Sequence, residues 1–309
     1  MHLEPEDVLT IRLAESRSSL LASETPGFTS LLNGAGLDWQ SYRHRIERLH
    51  KTGLIRSFHL TLVVPPMLGG NWVWAAMLAR TNQPLEQAQN LTRRLPFVTE
   101  ILVNSCLPAN IGPNLGLLFY SRDFENENRF IHSTAGLQDI EVFKIQEYSY
   151  PVALPLSRDE QALVRFLAAN PQSDSSGIAT AFGQNENWVR AKLERLLWTE
   201  NNRTGIIRIQ LGIDWSVCAN FGHFHFLLET GHRPEQVAKL VADRNFEPVL
   251  GGRPICGRYL GVEADVWGIS DLFQRVEFLE KINGIRVAGV ISNREILINS
   301  DWVLKTIPA

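Results

Sequence analysis

The chain has 309 residues, of which 44% are apolar and 20% charged, and a net charge of −3. That is ordinary globular composition with length for about two to four domains, and the slight acidic excess argues against a protein that coats nucleic acid indiscriminately. No apolar run approaches the roughly 18 residues a membrane-spanning helix needs, and the start Met1-His2-Leu3-Glu4-Pro5-Glu6-Asp7 is acidic where a secretion signal is basic, so a cytoplasmic protein is expected. Cys106, Cys218 and Cys256 are too far apart for a metal or redox motif and read as free thiols.

In chain order, the first informative segment is Gly36-Leu37-Asp38-Trp39-Gln40-Ser41-Tyr42-Arg43-His44-Arg45-Ile46-Glu47-Arg48-Leu49, followed by Gly53-Leu54-Ile55-Arg56. Tyr42, Ile46 and Leu49 recur at helical spacing and define an inward stripe. Asp38 stands where an N-cap should. The opposite face carries Gln40, Arg43, His44, Glu47 and Lys51. A strand entry after the Gly completes a winged helix-turn-helix, whose second helix puts its N-terminal residues on base edges while flanking cations meet phosphates. Gln40, Arg43 and His44 are thus candidate base readers, and Arg45, Arg48 and Lys51 candidate phosphate contacts.

A β-rich segment at 72–78 follows, then a helix led by Pro84, a strand at 100–103, a Gly-containing turn and a further strand. Asp123, Glu125 and Glu127 sit in a polar stretch that reads as a loop rather than a metal site. Residues 140–148 close the segment. This β-α-β-β-α-β order is the ferredoxin-like plan.

The same machinery then recurs. Gly183-Gln184-Asn185-Glu186-Asn187-Trp188-Val189-Arg190-Ala191-Lys192-Leu193-Glu194-Arg195-Leu196 repeats the capped basic helix, and Gly205-Ile206-Ile207-Arg208 the strand entry. Asn187, Arg190 and Lys192 are the second copy's candidate DNA contacts, and Trp188 suits an interface anchor better than a base-step contact. Between the two copies, 147 residues separate Gly36 from Gly183 and 152 separate Gly53 from Gly205, which leaves an insertion near residues 200–204. Asn82-Gln83-Pro84-Leu85-Glu86-Gln87-Ala88 is echoed by His232-Arg233-Pro234-Glu235-Gln236-Val237-Ala238, with Pro at a helix start where its missing N–H costs nothing. Ala135-Gly136-Leu137 is likewise echoed by Asn283-Gly284-Ile285. A repeat near 150 residues marks a duplicated domain pair rather than a solenoid.

The expected fold is α+β: winged helix-turn-helix domains over 1–65 and 154–219, ferredoxin-like domains over 66–153 and 220–309. Gly222-His223-Phe224-His225-Phe226 puts both imidazoles on one strand face, which reads as a solvent-facing His pair over a Phe core. Trp302-Val303-Leu304-Lys305 is expected to extend the last strand. No P-loop, H-E-x-x-H, G-x-S-x-G or G-x-G-x-x-G is present, and no catalytic residue, metal or cofactor is expected.

Gly36-Leu37, His44-Arg45-Ile46, Arg48-Leu49 and Gly53-Leu54-Ile55 resemble the Lrp/AsnC transcriptional regulators, whose reading helix follows G-L-S-x-x-x-x-x-R-R-Φ-x-R-L-x-x-x-G-Φ-I, with Φ apolar. Leu156-Ser157-Arg158-Asp159-Glu160 is similar to that family's opening to its first helix. The resemblance runs over 1–150 and again over 155–309, and implies a sequence-specific regulator that binds double-stranded DNA and pairs through its effector domains into a homo-oligomer. The family's amino-acid loop G-D-x-D falls on Gly112-Pro113-Asn114-Leu115 and Gly257-Arg258-Tyr259-Leu260, which lack both acids. Gly112, Asn114, Gly257, Arg258 and Tyr259 are the matching candidates for contact with a small effector. Sirohaem decarboxylases resemble the same regulators, come as paired or fused copies, and grip tetrapyrrole carboxylates with His and Arg side chains. They give the alternative, enzymatic expectation for His223 and His225.

Overall fold

The computed structural model describes residues 1–17, 32–34, 36–108, 111–198, 202–244, 246–248, 254–255 and 259–307. The fold is α+β with antiparallel sheet. The chain divides into two compact units, and the division interleaves the halves of the sequence: one unit holds Met1–Leu3, Val73–Glu147 and Asp214–Leu297, the other Glu4–Trp72, Tyr148–Ile213 and Ile298–Ala309.

The second of these units carries the helix-turn-helix elements. The helix Trp39–Lys51 forms where the sequence places it: Asp38 accepts from the Ser41 amide at 2.8 Å, and Tyr42, Ile46 and Leu49 are buried. The later copy shows the complete three-helix order, Arg158–Ala169, Ser175–Phe182 and Glu186–Leu196. Its last helix is capped by Asn185, which accepts from the Trp188 amide at 2.9 Å, and buries Val189, Leu193 and Leu196. Gly36 and Gly183 both stand at positive φ, 71° and 60°, in the turn before each of these helices, a conformation where a Cβ would be strained. Strands Ile55–Leu62 and Ile207–Asp214 leave the two modules and pair antiparallel with each other, from Ile55↔Ile213 to Leu62↔Ile207. In the inserted segment Asn202 donates to the Glu194 and Leu197 carbonyls at 2.9 and 3.0 Å and so closes the helix C-terminus. The chain end differs from expectation: Val303–Thr306 is a short helix rather than a strand extension. Trp302 and Val303 are buried, and packing of these side chains overrides the β-propensity of the segment.

The other unit holds two β-α-β-β-α-β halves. The first consists of Gly70–Arg80, Pro84–Thr92, Val98–Leu107, Leu115–Ser121, Phe124–His132 and Gln138–Tyr150. The second consists of Gly222–Thr230, Pro234–Val241, Glu247–Pro248, Tyr259–Val266, Gly268–Glu280 and Ile285–Ile298. Each half has the strand order fourth-first-third-second, and the two join through Val98–Leu107 beside Ile285–Ile298. The stretch read as a loop is the helix Phe124–His132, because Asp123 caps it by accepting from the Asn126 amide and Ile131 anchors it to the core. On the helix side, one core gathers Ala75, Met77, Leu117 and Phe119 with Leu91 and Ile131, and the other gathers Phe226, Leu228 and Val262 with Val237 and Leu279. The opposite faces of the two halves meet where Leu78 and Cys106 pack with Leu227, Tyr259 and Ile291.

Candidate functional site

The strand Gly222–Thr230 alternates strictly: Phe226 and Leu228 enter the helix-side core, which sends His223, His225 and Leu227 to the other face. Strand Tyr259–Val266 pairs with it antiparallel, and the register puts Glu263 opposite His225 and Asp265 opposite His223. Period-2 geometry therefore assembles two imidazoles and two carboxylates on one face from residues far apart in the chain. His223 Nδ1 lies 3.0 Å from Asp265 Oδ1, its Nε2 lies 3.5 Å from Glu263 Oε2, and His225 Nε2 lies 3.3 Å from the same oxygen. The rings stand 5.2 Å apart and nearly perpendicular. Neither imidazole faces solvent: their side chains are 25% and 15% exposed.

This cluster lines a cavity of ≈ 180 Å³ that opens to solvent at one side. The remaining wall is apolar, with Ala76, Leu78, Leu102, Leu117 and Leu118 from the first half and Ile291 from the second. Asn104 and Asn293 also line it, and the Oδ1 atom of each is buried without a hydrogen-bond partner. Burial alone would lower His223, but hydrogen bonds to Asp265 and Glu263 outweigh it and raise the group to about 9. His225 moves the other way, to about 4, through burial and then the neighbouring His223 charge. Glu263 stays ionised despite burial because His223 bonds to it. Two like groups pushed in opposite directions are the arrangement that acid–base sites use.

The residues expected to touch DNA divide into two sets. Gln40, Arg43, His44, Glu47 and Lys51 lie exposed on the helix Trp39–Lys51, and Arg43 Nε donates to Glu47 Oε1 at 3.3 Å. Arg45 and Arg48 instead converge on the buried Asp7 of the helix Pro5–Arg17: Arg45 reaches Asp7 Oδ1 at 2.7 Å and Glu4 Oε2 at 3.0 Å, and Arg48 bonds the same Asp7 oxygen. The later copy repeats the device, with Lys192 at 3.3 Å and Arg195 both on buried Glu160. Burial opposes ionisation of Asp7, but the arginine hydrogen bonds win and lower its pKa. Asn187 and Arg190 are exposed. Trp188 packs on Phe182 of its own module, ring centroids 5.7 Å apart, with the Lys192 ammonium 6.0 Å above it.

Of the effector-loop candidates, Gly257 and Arg258 lie outside the described residues. Asn114 bridges the Thr81 backbone, accepting from its amide at 2.9 Å and donating to its carbonyl at 2.7 Å, so its side chain closes a turn. Gly112 is buried where a Cβ would collide with Cys106, and Tyr259 joins the apolar contact of the two halves. Glu263, Asp265, Asn104 and Asn293 had no place in the sequence reading. The signal that could have found the first two is Glu263-Ala264-Asp265, a polar alternation inside an apolar strand that mirrors His223-Phe224-His225.

No protein-family model and no curated protein matches the chain. Among solved structures, the siroheme decarboxylase NirDL is similar over 94% of this chain and 91% of its own, at 17% identity and a TM-score of 0.46. The same enzyme in co-complex with an iron-uroporphyrin III analogue gives 18% identity over the same shares and a TM-score of 0.45. An AsnC family transcriptional regulator from Agrobacterium tumefaciens is similar over 50% of this chain and 97% of its own, at 16% identity and a TM-score of 0.28. Among the described residues, no helix is long and apolar enough to cross a membrane.

Proposed function

We propose that the chain is an enzyme centred on the His223–His225–Glu263 cavity, a decarboxylase of the sirohaem-decarboxylase type, built from a tandem duplication of a two-domain module with the boundaries 1–65, 66–153, 154–219 and 220–309. The observation that carries this reading is the placement of two half-buried, titratable imidazoles on the wall of a largely apolar cavity between the paired halves. The aliphatic walls suit the ring face of a macrocycle, and protonated His223 with the Asn104 and Asn293 amides suits its side-chain carboxylates. In such a reaction the C–C bond to a carboxylate breaks, CO2 leaves, and the electron pair left on carbon takes up one proton, so no oxidant or reductant is needed. His223, whose raised pKa keeps it protonated, supplies that proton. Asn104 and Asn293, with acceptors still unpaired, face the same space and offer further polar contacts.

A second reading, the Lrp/AsnC-type regulator, has its own observation: Gln40, Arg43, His44 and Lys51 form an exposed polar face on the helix Trp39–Lys51. In that reading they contact double-stranded DNA with Asn187 and Arg190, and the cavity holds a small effector. The ion pairs of Arg45, Arg48 and Lys192 favour the enzyme, because they hold three presumed phosphate contacts on buried carboxylates.

The deciding experiment incubates the purified chain with sirohaem under anaerobic conditions, follows the absorbance band, and measures CO2 loss by mass spectrometry. Uptake with CO2 loss, abolished in His223→Ala, is the expected result. No uptake, with tight, sequence-selective and salt-dependent binding to its own upstream DNA, would replace the enzyme by the regulator.

A further inference from the structure

We propose that His223, His225 and Glu263 form a binding site for a divalent transition-metal ion of the zinc class, with Asp265 orienting His223 from behind. The inference rests on the geometry of the cavity wall and not on the identity of the substrate.

Distances carry the argument. A charge-assisted N–H···O bond closes to about 2.7–2.9 Å. The two imidazole Nε2 atoms stand farther from Glu263 Oε2, at 3.5 and 3.3 Å. Those values match the edge of a tetrahedron around an ion whose bonds to nitrogen and oxygen are about 2.0–2.2 Å long, roughly 3.3–3.5 Å. One donor atom from each of the three residues lies within 4.8 Å of the others. A shared carboxylate oxygen with an Nε2 on either side is the arrangement of a first coordination sphere.

The outer sphere is present as well. Metal-bound imidazoles usually give their second ring N–H to a carboxylate, which fixes the tautomer and turns the other nitrogen toward the ion. His223 Nδ1 lies 3.0 Å from Asp265 Oδ1, which leaves its Nε2 facing Glu263. The ligands stand on rigid, paired strands, with His225 and Glu263 directly opposite in register, so the set is preorganised. Two histidines and one carboxylate fill three positions, and the fourth opens into the cavity, as in catalytic rather than structural zinc sites. An independent sign that the cavity receives a polar guest is that the Oδ1 atoms of Asn104 and Asn293 are buried there without a partner. The ion takes the place of the proton on His223, so the ion-bound cluster and the protonated imidazole are alternative states of one site.

The test uses full-length protein stripped with a chelator and then titrated with ZnCl2 in a calorimeter, with CoCl2 as a spectroscopic probe. One equivalent of Zn2+ should bind saturably, and Co2+ should give the intense visible bands of four-coordinate N/O ligation. His225→Gln and Glu263→Gln, shown folded by circular dichroism, should each weaken Zn2+ binding by more than 100-fold. Asp265→Asn should weaken it by about 10–100-fold while keeping the stoichiometry. No saturable binding to the wild-type chain would overturn the proposal, as would Zn2+ binding unchanged in His225→Gln, which would place the ion on surface histidines. No tetrapyrrole is present in this titration, so its outcome is independent of the sirohaem assay: Zn2+ binding beside a negative sirohaem assay leaves the metal site standing without the decarboxylase.

Discussion

The two β-α-β-β-α-β halves share strand order and helix placement, yet they present opposite surfaces to the cavity. On its inner face the first half carries Ala76, Leu78, Leu102 and Leu118, while the second carries His223, His225 and Glu263. The cores behind them are alike, Met77 and Phe119 in one and Phe226 and Val262 in the other. A strand in a sheet shows one set of side chains to the helices and the alternate set to the other face, so one set can change chemistry while the other keeps the fold. One half supplies an apolar wall and the other the titratable cluster.

The largest expected effect breaks this contrast at its centre. His223→Ala should lower turnover in the proposed reaction by about 10²–10⁴-fold, the usual weight of a general acid–base group, whereas Leu118→Ala on the facing wall should raise KM several-fold with kcat nearly unchanged. Steady-state kinetics of both variants would check the asymmetry, and equal kcat losses would refute it. Removing Phe226, fully buried behind the histidines, should cost about 3–5 kcal/mol in urea unfolding. Ala75, buried in the first half's core, has little side chain to lose, so Ala75→Gly should cost about 1 kcal/mol or less.

The helix-turn-helix modules differ less, and their comparison predicts smaller effects. Asp7→Asn and Glu160→Gln should each destabilise by about 1–3 kcal/mol, because each leaves two cations short of their buried partner. Glu160 also sets a pH dependence. Burial opposes its ionisation, but hydrogen bonds from Arg195 and Ser157 outweigh this and hold it at about 2, against an ordinary 4.5. A depressed carboxylate stabilises fully above its unfolded value, and that stability is lost as pH falls from 4.5 through 2. Thermal unfolding across this window should show a falling Tm that Glu160→Gln flattens. The smallest effect concerns DNA: in the regulator reading, Lys51→Ala should reduce the salt slope by about 1 and Arg43→Ala should relax preference at one base. Electrophoretic shift assays at two salt concentrations separate these outcomes.

Local signals made much of this molecule legible from sequence. The stripes Tyr42-Ile46-Leu49 and Val189-Leu193-Leu196, the caps Asp38 and Asn185, and the helices led by Pro84 and Pro234 all depend on neighbours within about one helical turn. Helix Phe124–His132 was missed because its polar surface hides the single buried anchor, Ile131. The ion pairs of Arg45 and Arg48 are illegible in the sequence for a different reason. A basic helix face looks alike whether it meets phosphates or a buried carboxylate about forty residues earlier, and only packing of Pro5–Arg17 against Trp39–Lys51 supplies Asp7.

The sequence by itself determined the repeated elements, the faces each buries and the alternation that puts His223 and His225 together, since these follow from periodicity within a single helix or strand. Only the packing of the folded chain places Glu263 and Asp265 opposite those histidines, brings Asn104 and Leu118 into their cavity, and holds Arg45, Arg48, Lys192 and Arg195 on Asp7 and Glu160. Strand register and the meeting of two sheet faces join residues separated by forty to well over a hundred positions, and no local pattern encodes such a pairing.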